Sequence, residues 1–405
     1  MAVGEERFPD MKPVPGFKLG TTSAGIKTLG RKDLVIMEIV EGGTIAGVFT
    51  QNAFCAAPVQ LTKAYIMTAE SRYLVTNTGN ANAGTGESGR QDAKAVCQAV
   101  AELTGVSTEA VLPFSTGVIG EPLPVEKIIT ALPAAYSDLS ESGWADAAAG
   151  ILTTDTRPKS ASVQLELAGK TITITGIAKG SGMIKPNMAT MLSYVATDAV
   201  IASDLLESLV SSAVDVSFNR ITVDGDTSTN DCAMLIATGA SGVNIGELSD
   251  VDQDCFEVSL QELFISLAHQ IIKDGEGSTK FVAVEVTGGM DSSECLAVAY
   301  TVAESPLVKT ALFASDPNWG RILAAIGRAG LPNLDVEVIQ VYLDEVLIAE
   351  KGGRAESYLE SAGQAVMDKE KLSIRIHLNR GDSQETVWTT DLSHDYIKIN
   401  AEYRT

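Results

Sequence analysis

One stretch near the middle of the chain constrains its folding more than any other: residues 176–198, GIAKGSGMIKPNMATMLSYVATD. Glycines and a proline run up to Thr190, and an apolar, β-favouring segment follows it. That layout suits a tight loop that presents one hydroxyl to the carbonyl just before it, and then enters a sheet. A threonine hydroxyl is a weak nucleophile until a base sits beside it, and a chain cut before the threonine supplies its own α-amine as that base. The residues alone leave two readings open, a plain loop leading into a strand or a self-cleavage site at Ala189-Thr190.

Length and composition narrow the field. A chain of 405 residues is long enough for two domains or one two-lobed unit. No run approaches the roughly 20 apolar residues that span a bilayer, and MAVGEERFPDMKPVPGF lacks the basic-then-apolar order of a secretory signal. A cytoplasmic location without membrane partners is therefore expected. The net charge of −22 is spread along the chain, so phosphate backbones are repelled and nucleic acid is not an expected partner. Five cysteines (Cys55, Cys97, Cys232, Cys255 and Cys295) form no CxxC pair and suit reduced core thiols. Only His269, His377 and His394 are present. So few histidines argue against a Ser-His-Asp relay or a histidine-rich zinc site, and shift general-base duty towards an amine such as that of Thr190.

Strands and helices alternate without a low-complexity linker. Residues 34–40 and 44–50 read as neighbouring strands around Glu41-Gly-Gly43, and residues 91–103 as a helix burying Ala93, Val96, Cys97 and Val100, stopped at Gly105. Residues 162–175 read as a hairpin turning at Gly169-Lys170 and leading into the threonine loop. A helix over 203–216 takes Ser203 as its N-cap. A second, over 257–273, buries Leu260, Leu263, Phe264, Leu267, Ala268 and Ile271, leaving Glu276 in the turn beyond. Residues 280–287 and 335–350 read as strands, and 372–378 with 385–392 as a final pair around a turn at 379–382. The expected fold is α+β (α/β layered), with helices enclosing layered sheets.

The segment KGSGMIKPNMATML resembles, without a gap, the cleavage motif of the ornithine acetyltransferase family, the bifunctional glutamate N-acetyltransferases. Further similar blocks are FTQNA at 49–53, NTGNANAGTG at 77–86, FNRITVDGDTSTND at 218–231, SDPNWGR at 315–321 and the end INAEYRT, so the likeness runs from about residue 15 onward. The resemblance implies an N-terminal-nucleophile-like sandwich of two lobes, self-cleaved into chains 1–189 and 190–405 that pair into a heterotetramer of two α and two β chains. The shared core would draw its strands from both fragments. It implies acetyl transfer from N2-acetylornithine to glutamate through an acetyl-Thr190 ester, in arginine biosynthesis and without a cofactor. Some members also take acetyl-CoA, and the residues do not decide that point. By the same resemblance, Thr116 and Gly117 in PFSTGVIG form the oxyanion hole. Thr153 or Thr154, Lys179, Glu276, Asn400 and Thr405 contact substrate, with Lys179 suited to a carboxylate and Glu276 to an amine.

Two rivals stay in view. An N-terminal-nucleophile amidohydrolase or aminopeptidase would share Thr190 but pass the acyl group to water; an uncleaved amino-acid-binding protein would use no nucleophile. Two motifs invite other readings. The loop 77–86 lacks the GxxxxGK[ST] and GxGxxG arrangements of phosphate cradles. Asp224, Asp226 and Asp231 resemble a calcium loop, but Gly225 breaks the spacing, and no metal is expected.

Overall fold

The computed structural model describes residues 2–4, 8–185 and 191–402. Three sheets organise them. The first has four strands in the order β1 (Phe17–Thr22), β2 (Leu34–Ile39), β4 (Tyr73–Asn80) and β5 (Val111–Val118). The second has five, ordered β3 (Thr44–Phe49), β10 (Cys232–Ala237), β8 (Leu192–Thr197), β7 (Lys170–Lys179) and β6 (Lys159–Leu167). The third has seven, ordered β14 (Gly353–Arg354), β13 (Val346–Glu350), β12 (Gln340–Leu343), β15 (Lys371–His377), β11 (Phe281–Gly289), β16 (Ser383–Thr389) and β9 (Ile221–Thr222).

The first two sheets pack against each other, and period-two alternation shows how. On β10, Cys232, Met234 and Ile236 join the core shared with the four-stranded sheet, whereas Ala233, Leu235 and Ala237 join the core beneath α5 (Ser203–Asp215) and α6 (Asp250–Lys273). Both faces are buried, so the strand reads as an unbroken apolar run. Tyr194 of β8 closes the layer: its ring meets Phe114 edge-on at 5.3 Å, and its hydroxyl shares a 2.8 Å hydrogen bond with Thr76. The helices α1 (Ala57–Tyr65), α2 (Gly86–Thr104), α3 (Val125–Ser137) and α4 (Trp144–Gly150) pack on the four-stranded sheet. The seven-stranded sheet has its own core with α7 (Ser292–Ala303), α8 (Pro306–Phe313), α9 (Trp319–Gly327) and α10 (Glu360–Met367). The layered α+β sandwich with helices around it is the expected architecture.

The local readings fared unevenly. Helices α2 and α6 bury the expected faces, and Gly105 ends α2 in the left-handed conformation. The hairpin β6–β7 forms with Val163 opposite Ile174 and Leu165 opposite Ile172, although it turns at Ala168-Gly169, one residue early. Ser203 is not the N-cap of α5; Ala202 is, without a side-chain hydrogen bond. Strands β2 and β3 are not partners, because β2 pairs with β1 and β4 while β3 pairs with β10 in the next sheet. Likewise β15 and β16 do not pair with each other; β11 lies between them. The shared core is also narrower than expected. Only the five-stranded sheet mixes strands from before and after residue 190, and each of the other two sheets draws on one side alone. The cysteines are free, but not all are core thiols, since Cys255 is exposed and Cys55 half-buried. His269 packs edge-on to Phe281 and Trp388, and His377 pairs with Thr287 across β15 and β11. Among the described residues no helix is long and apolar enough to cross a membrane.

Candidate active site

The C-terminal ends of β4 and β5, the only parallel pair in the first sheet, open onto a cavity of about 220 Å³. Thr116 and Gly117 form part of its wall. Gly117 has φ +136°, and a Cβ there would lie 2.3 Å from the Gly79 carbonyl carbon and 2.5 Å from the Asn80 nitrogen. No side chain fits without moving β4, so only glycine allows this close approach of the two strands.

Lys179, at the end of β7, reaches the same cavity, and its Nζ donates to Thr116 Oγ1 at 3.1 Å. Burial pulls the ammonium below its usual range, opposed by the carboxylates of Asp155, Asp231 and Glu276. Behind it stands a buried ionic row that the sequence reading missed. Lys159 donates to Asp155, and to Asp274 Oδ2 at 2.6 Å, with all three side chains essentially inaccessible. Burial works against ionising Asp155, yet Lys159 and Lys179 hold its carboxyl well below the usual carboxylate range. Its oxygens also accept from the N–H groups of Gly180 at 2.7 Å and Thr153 at 2.9 Å, so one carboxylate orients both the lysine strand and the threonine turn. Asp274 accepts from the N–H groups of Thr156 at 3.0 Å and Arg157 at 3.3 Å.

Thr153 and Thr154 both line the cavity. Thr153 commits its N–H and hydroxyl to Asp155; both threonines also border an adjoining cavity of about 330 Å³, and Thr154 a third of about 250 Å³. Glu276 sits in the turn after α6, as expected, with its N–H on the Ser181 carbonyl at 2.9 Å. The chain crosses so close that a Cβ on Gly182 would be 2.4 Å from the Glu276 carboxyl. The terminal helix α11 (His394–Ala401) brings Asn400 Nδ2 to within 2.7 Å of Glu276 Oε2.

Asn230 and Asp231, just ahead of β10, were not among the expected site residues, although both lie in the 218–231 block. Asn230 lines the cavity and donates to the carbonyls of Ala81 and Ser115. Asp231 is buried with one carboxylate oxygen lacking a hydrogen bond, and burial pushes its carboxyl well above the usual range. The following residue, Cys232, donates its N–H to the Met191 carbonyl at 2.9 Å. Thr190 itself, Ala189 and Thr405 lie outside the described residues. Of the expected site residues within them, Thr116, Gly117, Thr153, Thr154, Lys179, Glu276 and Asn400 all border this one cavity.

Comparison with known proteins agrees in coverage and kind. The sequence model of the ArgJ family matches residues 18–405. The chain belongs to the ArgJ family. Relatives named arginine biosynthesis bifunctional protein ArgJ include that of Pseudomonas fluorescens (strain Pf0-1), 60% identical over the whole of both chains. Another is that of Psychrobacter arcticus (strain DSM 17307 / VKM B-2377 / 273-4), 55% identical over the whole of both. The crystal structure of the ArgJ protein from Bacillus halodurans is 38% identical, with a TM-score of 0.49 over 52% of this chain and 99% of that one.

Proposed function

We propose that this cavity is the acetyl-transfer site of an enzyme of arginine biosynthesis, moving acetyl from N2-acetylornithine to glutamate. The observation that carries the reading is the convergence of Thr116, Gly117, Thr153, Thr154, Lys179, Glu276 and Asn400 on a single cavity, from segments scattered between residues 116 and 400. Full-length identity to relatives named for arginine biosynthesis supports the pathway.

In this reading, Thr190 Oγ first attacks the Ala189 carbonyl carbon, shifting the acyl group from nitrogen to oxygen. That shift leaves the Thr190 nitrogen as a free amine, and water then cleaves the ester, releasing the Ala189 carboxylate and restoring the Thr190 hydroxyl. In the mature enzyme the amine takes the hydroxyl proton as Oγ attacks the acetyl carbonyl of N2-acetylornithine. The same proton passes to the departing ornithine nitrogen, leaving acetyl on Thr190. The neutral amine of glutamate attacks that ester, gives its proton back through the Thr190 amine and departs acetylated. Each attack builds charge on a carbonyl oxygen, which Thr116 and Gly117 stabilise in this reading; losing one such donor costs roughly 10²–10³ in turnover. Lys179 takes a substrate carboxylate, and Glu276, aligned by Asn400, takes an ammonium group.

The fragments 1–189 and 190–405 stay together in this reading and assemble as two α and two β chains. The word bifunctional in the relatives' names is the reason to include acetyl-CoA as a second donor. The test is transfer of acetyl from N2-acetylornithine to isotopically labelled glutamate without coenzyme A. The expected outcome is parallel-line, ping-pong kinetics; release of acetate without labelled product would assign the site to a hydrolase instead.

A further inference from the structure

Asp224, weighed above as a calcium ligand, spends its carboxylate on the protein itself. Oδ2 accepts the Met183 N–H at 2.7 Å, and Oδ1 accepts the Ile184 N–H at 2.9 Å. The neighbouring Val223 donates its N–H to the Ile184 carbonyl at 2.7 Å, so the two segments are laced together. Met183 needs such a hold, because its φ of +56° is left-handed and it carries a side chain. It lines the cavity beside Gly182, which passes against the Glu276 carboxyl.

The second arm comes from the terminal helix. Tyr396 Oη donates to Asp224 Oδ2 at 3.2 Å. Burial, then the nearby Asp224 carboxylate, pushes the phenol upward, so it stays protonated and able to donate. One turn later Asn400 donates to Glu276 Oε2 at 2.7 Å and to the Tyr396 carbonyl at 3.0 Å. Asp224 is therefore where two paths to the same Glu276 carboxylate meet, one through residues 182–184 and one through α11.

We propose that Asp224 is a positioning residue for the amino-acid end of the cavity, holding the Met183 turn and α11 in register on Glu276. This rests on the acetyl-transfer reading above. The full-length Asp224→Asn, Tyr396→Phe and double variants are compared with wild type in acetyl exchange, with calorimetric affinities for ornithine and glutamate alongside. Loss of one hydrogen bond acting through Glu276 raises the glutamate KM about fivefold in Tyr396→Phe, with kcat within about twofold. Asp224→Asn raises KM by about tenfold or more, and the double variant is no worse than Asp224→Asn, because the tyrosine acts through the aspartate. A wild-type KM in Tyr396→Phe overturns the proposal, as do fold-changes that multiply in the double variant. Should Asp224→Asn fail to fold, Tyr396→Phe decides alone. Wild-type exchange with an unmoved Tyr396→Phe KM sinks this proposal and leaves the acetyl-transfer reading intact. If wild type binds the amino acids without exchange, the calorimetric ratios decide in place of KM; if it binds neither, both fall.

Discussion

The five-stranded and seven-stranded sheets differ in how they depend on the chain being whole. The first takes β3, β6 and β7 from before residue 190 and β8 and β10 from after it. The second takes every strand from after it. A cut at 189/190 therefore leaves the seven-stranded sheet within one fragment. In the five-stranded sheet it leaves the ladders of β7 with β8 and of β3 with β10 bridging two fragments. The candidate site grows on that bridging sheet: Lys179 ends β7, and the buried Lys159 of β6 reaches Asp274 beyond α6. Chemistry that severs the backbone is tolerable where non-covalent contacts already join its two sides.

That contrast is most exposed at Lys159. Lys159→Met strands Asp155 and Asp274 without their buried ammonium, and losing one partner of such a group typically costs about 3–5 kcal/mol. Urea unfolding of the Thr190→Ala chain, which the account keeps in one piece, measures this. A loss below about 1 kcal/mol would mean that the ionic row does not join the two sides.

His269 probes a junction that lies wholly after residue 190, where α6 meets Phe281 and Trp388 of the seven-stranded sheet. Burial, with Lys273 nearby, lowers its imidazole to about 4, against an unfolded value of about 6.5. The folded protein thus binds this proton less readily than the unfolded chain. Its stabilising contribution is whole above pH 6.5 and drains away as pH falls towards 4. Between those limits wild type should lose about 3 kcal/mol more than His269→Leu, without any change in fragment association. Equal acid sensitivity of the two proteins would contradict the assignment.

The smallest effect belongs to Tyr194→Phe. Removing the hydroxyl bonded to Thr76 should cost about 1 kcal/mol, seen as easier separation of the two fragments in urea. An unchanged separation midpoint would place the joining contacts elsewhere.

What could be read from the chain alone divides along the same physical line. Helices α2 and α6 were legible because their buried residues recur at helical spacing. Partnership was not: the strands at 34–40 and 44–50 are real, yet no local pattern says that they enter different sheets, or that β11 inserts between β15 and β16. Ser203 misled by one position, since a serine near a helix start need not supply the capping bond. At the site, the cavity-lining residues named in advance came from the resemblance of whole motifs. The Lys159–Asp274 pair spans 115 residues and leaves no local trace. Asp224 looked like a metal ligand because its neighbours are acidic, and only the fold shows its carboxylate turned onto Met183 and Ile184.

The central claim is that Thr190 cuts the chain and then carries the acetyl group, and intact mass under denaturing conditions tests it most directly. Wild type should give two fragments meeting between Ala189 and Thr190, with about 42 mass units added to the 190–405 fragment after incubation with N2-acetylornithine alone. Thr190→Ala should give one chain and no added mass. A single unmodified chain in wild type would contradict the account.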